Sequence, residues 1–373
     1  MAKPLDLFQP VVPEQDLHPG FKNMRDSPMW EPARAVLRDL FSVFPDPDGN
    51  FVEQFQTGGF DARTFEIYLF ALFRESGFAI DRSNPRPDFL LDKDGQTLGV
   101  EAVTANPPSS GGIRPYVSQP KERSPDEMRT YLENEVPIRM GSPLFSKLQK
   151  KYWQLEYLKD RPFVLAIESF HDAGSLAISS TPLTRYLFGL GHHWYHDHKG
   201  ELIISTSPID VHRLAGKEIP SGFFNQPDVE NISAVLFSNS GTAPKFNRIG
   251  QEGTRRSNAV RMIRYGSCYR HDPNSDKPSG FVYEVGDGET TEKWNEGTVV
   301  IHNPHALHPL PPALMGASAE EKLEDGKIVT TFFCEGFHPY SSMTLTYPGN
   351  TPTAILEKIA NKITGELLKL FPE

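Results

Sequence analysis

Cysteine is almost missing from this chain: Cys268 and Cys334 are the two thiols in 373 residues. So few, so far apart, exclude a disulfide scaffold and a cysteine-rich zinc site, and both are expected as reduced thiols. No apolar run reaches the length of a membrane span, and the opening MAKPLDLFQP lacks the basic-then-apolar order of a secretory signal. A cytoplasmic protein with no membrane partner is expected. Glycine-rich phosphate loops are lacking too: GIRPYV, GLGHHW and VGDGET have neither the flanking strand nor the spacing and lysine of a nucleotide loop. There is no Gly-x-Ser-x-Gly elbow for a serine nucleophile and no repeat at solenoid or propeller period. Positive charge is in deficit, with a formal net charge of −10, which counts against indiscriminate nucleic-acid binding because phosphate neutralisation needs a basic surface.

What is present is enough apolar material, 38% of residues, for one elaborated domain or two. The informative stretch runs FDARTFEIYLFALFRESGF and then RPDFLLDKDGQTLGVEAVTAN. It predicts a helix ending at Gly77 and two strands joined by the Lys93-Asp94-Gly95 turn signal. Phe65, Tyr68, Leu69, Leu72 and Phe73 form an apolar arc on the helix, Phe70 widens it, and Glu66 falls inside it. Along the strand Thr97 to Thr104, Leu98, Val100 and Ala102 face one way and Gly99, Glu101 and Val103 the other. Glu101 is the strand's only charge. A strand apolar on both faces is expected to be covered on both, so that carboxylate needs a cation or donors to offset its desolvation.

The order Glu66, Pro87-Asp88, Glu101-Ala102-Val103 resembles the PD-(D/E)XK restriction-endonuclease-like superfamily over roughly residues 60 to 170. The resemblance implies an α/β fold with a core of helix, three-strand meander, helix and strand. It further implies that Asp88 and Glu101 bind Mg²⁺ (or Mn²⁺), that Glu66 assists as a metal or water ligand, and that a lysine two residues beyond the second acid activates water. Here that position is Val103. Some members take the lysine from the following helix, expected here in SPLFSKLQKKYWQLEYL after Gly141 with a Ser142-Pro143 start. Around that helix Lys151 lies at the edge of the apolar stripe, Lys147 flanks it, and Lys150 points away, so Lys147 and Lys151 are the candidates. PFVLAIESF is then the strand completing the core.

Such residues suit phosphodiester cleavage, which needs an ionised water and charge stabilisation on the non-bridging oxygens; a carboxylate-held Mg²⁺ and an ammonium supply these. Clustered acids raise one another's pKa and favour a bound cation. The plainer reading has Glu66 pairing with Arg63 or Arg82, Asp88 as a strand-entry residue, and the lysines on a solvated helix edge.

Elsewhere, residues 1–59 read as an N-terminal arm with a helix from Glu31 to Phe41. An insertion at 105–141 holds a Pro/Gly/Ser-rich loop, Asn106 to Gln119, and a helix opened by the capping-box sequence Ser124-Pro125-Asp126-Glu127; it is placed to act as a lid or flap. Residues 171–373 read as a β-rich extension, a second layer or more of the same sheet, with strands near 202, 233, 280, 298 and 328. It ends in an amphipathic helix marked by Ile355, Ile359, Ile363 and Leu367, suited to packing on the domain or on a partner in a homodimer.

From Lys245 to Arg270 the chain carries Lys245, Arg248, Arg255, Arg256, Arg261, Arg264 and Arg270 against the single acid Glu252. This segment is either a phosphate-backbone groove or a set of arginines paired with acids elsewhere. Two histidine groups supply a rival zinc reading: His192, His193, His196 and His198 with Asp197, bracketed by Gly191 and Gly200 as in a loop, and His302, His305 and His308. In the first, His192 and His196 have helical ligand spacing. The leading expectation is a metal-dependent phosphodiesterase acting on nucleic acid, DNA ahead of RNA. The competitor is a degenerate member that binds nucleic acid or protein without cutting, for which Val103 is the best argument.

Overall fold

The computed structural model describes residues 6–107, 121–272, 274–288, 290–333 and 337–372. Four helices come first. Pro19 and Pro32 occupy the first turns of α1 (Pro19–Asp26) and α2 (Glu31–Phe41), where a missing N–H has no helical acceptor to lose. The short α3 (Phe51–Gln56) leads into α4 (Phe60–Glu75), which is buried around most of its girth, as an interior helix must be when apolar residues ring it. Phe8, Phe21, Phe51 and Phe55 interlock by ring contacts, so the N-terminal segment shares one core with α4 and the sheet.

Next come β1 (Ala79–Asp81), β2 (Phe89–Lys93) and β3 (Gln96–Ala105), an antiparallel meander. Lys93 pairs with Gln96, leaving Asp94 and Gly95 as a two-residue turn with φ of 53° and 76°, which suits a right-twisting hairpin. The capping box at Ser124 and Glu127 opens α5 (Pro125–Thr130); a π turn, Tyr131–Glu135, continues it into α6 (Val136–Leu148). This corrects the expected helix start at Ser142-Pro143. Pro143 lies inside α6, because the stripe Val136, Met140, Leu144, Leu148 buries a face that begins two turns earlier. The chain crosses to β4 (Phe163–Ser169), which runs parallel to β3.

Beyond β4 are α7 (Thr181–Phe188), the hairpin β5 (Leu190–His196) and β6 (Leu202–Pro208), and the hairpin β7 (Val211–Leu214) and β8 (Lys217–Pro220). Then follow β9 (Ala234–Ser238), α8 (Ala243–Glu252), β10 (Val260–Cys268) and β11 (Ser279–Glu284). The chain closes with β12 (Val299–His302), β13 (Ala319–Glu324), β14 (Lys327–Phe332), β15 (Pro339–Pro348) and α9 (Thr353–Leu370).

The protein is mixed α/β, with an eight-stranded sheet in the order β1-β2-β3-β4-β9-β12-β13-β14. On one face Val100, Val164, Ala166 and Leu236 meet α4 and the N-terminal helices; on the other Val103, Leu165, Ile167 and Phe237 meet α6 and α7. Of the later strands β9, β12, β13 and β14 belong to this sheet, β11-β10-β15 form a separate one, and β6, the strand near 202, pairs with β5 in a two-stranded ribbon. Leu356 and Ile363 of α9 cluster with Ile263 of β10, so that helix packs on its own chain. Among the described residues no helix is long and apolar enough to cross a membrane.

Candidate active site

Pairing of β2 with β3 begins at Phe89, opposite Val100, so Asp88 sits just outside the ladder. There the Ala102 N–H has lost its strand partner, and Asp88 Oδ2 accepts from it at 2.8 Å. The Asp88 N–H in turn donates to Glu101 Oε2 at 3.3 Å. Glu101, 4% exposed, accepts at its other oxygen from the Lys147 ammonium on α6, and the Tyr152 phenol also faces it. Burial, and then the Asp88 charge, push the Glu101 carboxyl up to about 7 against the pull of Lys147. Burial also opposes the charge on Lys147, but Glu101 and Asp88 outweigh it and hold that ammonium protonated.

Glu66, 6% exposed, reaches the same corner from α4. Arg63 Nη1 grips both its oxygens at 2.6 and 2.8 Å, and Arg82 Nη2 donates at 3.2 Å. The Arg82 guanidinium is held between the Phe44 and Phe89 rings, 4.3 and 4.8 Å from their centroids. Burial, then Asp88, raise Glu66 to about 6 despite both arginines. A cavity of about 130 Å³ adjoins this corner, lined by Asp46, Asn50, Arg63, Arg82, Asn84 and Asp88.

Three carboxylates (Glu66, Asp88, Glu101) thus meet three cations (Arg63, Arg82, Lys147). Among the described residues no group of three or more His, Cys, Asp or Glu is set to hold a metal ion. Asp88 and Glu101, with adjoining carboxylates, form the pair with the hard oxygen donors a divalent cation needs. Guanidinium groups engage both oxygens of Glu66, as the Lys147 ammonium and the Asp88 N–H engage those of Glu101.

Sequence reasoning placed Lys151 beside Lys147, but the structure separates them. The helix ends at Leu148, Lys151 turns into the left-handed region (φ 51°), and its Nζ bonds Asp228 Oδ2 at 2.7 Å. The basic segment is no groove either. Lys245, Arg248 and Arg264 are buried around Glu292, at 2.8, 2.7 and 3.2 Å, and Arg264 also holds Glu296 at 2.8 Å. Arg255 pairs with Asp39, Arg261 with Glu284, and Arg270 donates to the Pro372 carbonyl; Arg256 stays exposed.

Of the expected loop, His192 to His196 lie in the strand β5 and only Asp197 to Gly200 form a turn; along the strand residues four apart lie about 13 Å apart and cannot share an ion as on a helix. His193 meets Ser207, His196 meets the Asn274 carbonyl, and Asp197 accepts from the Lys199 and Glu201 N–H groups. In the second group His302 faces Glu320 and His308 faces Asp160. Most of the loop from Asn106 to Gln119, read as a lid, lies outside the described residues, as does Cys334. Tyr152 is the site residue the sequence did not disclose: it follows the end of α6, where helical periodicity says nothing about direction.

Comparisons with protein-family models, with curated proteins and with solved structures give no match to this chain.

Proposed function

We propose that the protein is a metal-dependent phosphodiesterase acting on nucleic acid, built on a divergent restriction-endonuclease-like core of α4, the β1–β3 meander, α6 and β4. The observation that carries this reading is the convergence of Asp88, Glu101 and Lys147 where β2 parts from β3. Asp88 and Glu101 would hold Mg²⁺ or Mn²⁺, which supplies Lewis-acid stabilisation to a phosphoryl oxygen. Lys147 takes the part of the ammonium that Val103, buried in the apolar layer, cannot play. Held protonated beside the carboxylates, it would orient the attacking water and offset negative charge growing on the phosphoryl group. Arg63 and Arg82 hold Glu66 within reach of the Asp88 charge.

A second reading is favoured by the charge balance. Each buried carboxylate already has a protein cation, which suits a nuclease-like protein that binds without cutting. Incubation with DNA and with RNA in Mg²⁺ or Mn²⁺, beside Glu101→Ala, separates the two. Cleavage by the wild type that disappears in the variant supports the phosphodiesterase. Binding without cleavage in both supports the second reading, and equal cleavage in both overturns the proposed site.

A further inference from the structure

A cavity of about 730 Å³ shares no residue with the acidic corner. It is lined by β12, β13 and β14 of the main sheet, by β10 and β15 of the small one, and by the segment from Gly174 to Arg185. Its volume is that of a pocket for a small organic molecule.

One wall is aromatic. Phe332 stacks on Tyr269 with centroids 3.9 Å apart, and its ring meets His338 edge-on at 5.2 Å. His338 is 2% exposed; its Nδ1 is bonded to Ser318 Oγ at 2.9 Å, and its Nε2 has no hydrogen-bond partner among the described residues. Burial lowers its pKa to about 4, so the ring is a neutral imidazole with one donor and one acceptor. On β13, two residues along from the partner of Phe332, Glu321 is buried against the start of α7, accepting from the Ser180 and Thr184 hydroxyls. Burial raises its carboxyl, against the pull of those two hydroxyls.

The mouth is cationic. Arg123 reaches Asp172 at 2.8 Å while lying 3.8 Å over the Tyr131 ring, Arg185 is 3.7 Å from Glu133, and Lys121 has no ion pair among the described residues. An aromatic wall beside a neutral imidazole and a buried carboxyl suits the edge of a planar heteroaromatic ring, and cations at the mouth suit a phosphate.

We propose that this cavity binds a free mononucleotide, its base against Phe332 and His338 and facing Glu321, and its phosphate at Lys121, Arg123 and Arg185. The site stands apart from the phosphodiesterase reading and does not depend on it. Titration calorimetry of the full chain with AMP, GMP, CMP and UMP tests it, with adenosine as the ring without phosphate and ribose 5-phosphate as the phosphate without ring. At least one nucleotide should bind, and both fragments should bind at least about tenfold more weakly. His338→Phe and Arg185→Gln should each weaken that nucleotide by about tenfold or more while Glu101→Ala leaves it unchanged. If His338→Phe melts well below the wild type, Lys121→Gln joins Arg185→Gln as the deciding rim variant. No heat from any of the four nucleotides at millimolar concentration overturns the site, as does full affinity in folded rim variants. Ribose 5-phosphate binding as tightly as the nucleotide overturns the role of the ring.

Discussion

Two groups of ionised side chains in this molecule differ in their access to water. Around Glu292 the packing is closed: Lys245, Arg248 and Arg264 surround a carboxylate with no exposed side-chain surface, and Glu296 joins from the next turn of chain. Burial alone would raise the Glu292 pKa, but those three cations hold it far below the usual carboxylate range. With three cations on two carboxylates, positive charge is in excess, and burial depresses Lys245 despite its partner. Around Asp88 the count of charges is even, yet Glu66 and Glu101 are both raised, and Lys147 keeps 31% of its side chain exposed. The sealed cluster, with Glu292 held ionised at its centre, staples α8 to β10. A partly open one whose protons come and go near neutrality is where chemistry is possible.

The contrast breaks most visibly in stability. Glu292→Ala leaves the buried Lys245 and Arg248 without a carboxylate, Arg264 keeping Glu296, and should cost about 3–5 kcal/mol or prevent folding, whereas Glu101→Ala lets Lys147 hydrate and should cost much less, while cleavage is lost. Denaturant titration of both variants checks this, and equal losses would erase the distinction drawn between the clusters. For activity, Lys147→Ala should lower cleavage by about 10²-fold or more, and Lys151→Ala, which touches only Asp228, should stay near wild type.

A pH series in chelator sharpens the comparison further. Glu66 and Glu101 bind their protons more tightly folded than unfolded, so their contribution to stability falls as pH rises from the ordinary glutamate range through about 6 and 7. The double variant Glu66→Gln/Glu101→Gln should therefore lose less stability than wild type between pH 4.5 and 7.5 (roughly, given ordinary glutamate values). A wild-type profile parallel to the variant's would contradict the raised values. Smallest of all, Arg255→Ala removes an exposed pair with Asp39 and should change stability by about 0–1 kcal/mol, readable by the same denaturant titration.

Much of the corner was legible because burial leaves a periodic trace. Glu66 inside a helical apolar arc and Glu101 alone in an apolar strand are both buried acids, and the Asp94-Gly95 turn and the α2 boundaries follow local rules. Where local signals compete, the longer apolar face wins: Val136 and Met140 set the start of α6 over Ser142-Pro143, and β5 pairs with β6 through what read as a histidine loop. Charge was the least legible property. Lys245, Arg248 and Arg264 look like a basic stripe until Glu292, far along the chain, is folded against them.

Residue order alone determined which side chains must be buried and in which kind of element, since hydrophobic period and turn chemistry act over a few residues. It could say that Glu66, Asp88 and Glu101 need partners, and it narrowed the lysine to two. Only the folded chain set Lys147 against Glu101 and Lys151 against Asp228, hid three of the basic residues, and opened a cavity between the main sheet and the small one. Ion pairing and cavity shape depend on distances between segments far apart in sequence, and those distances exist only once the sheet has brought the segments together.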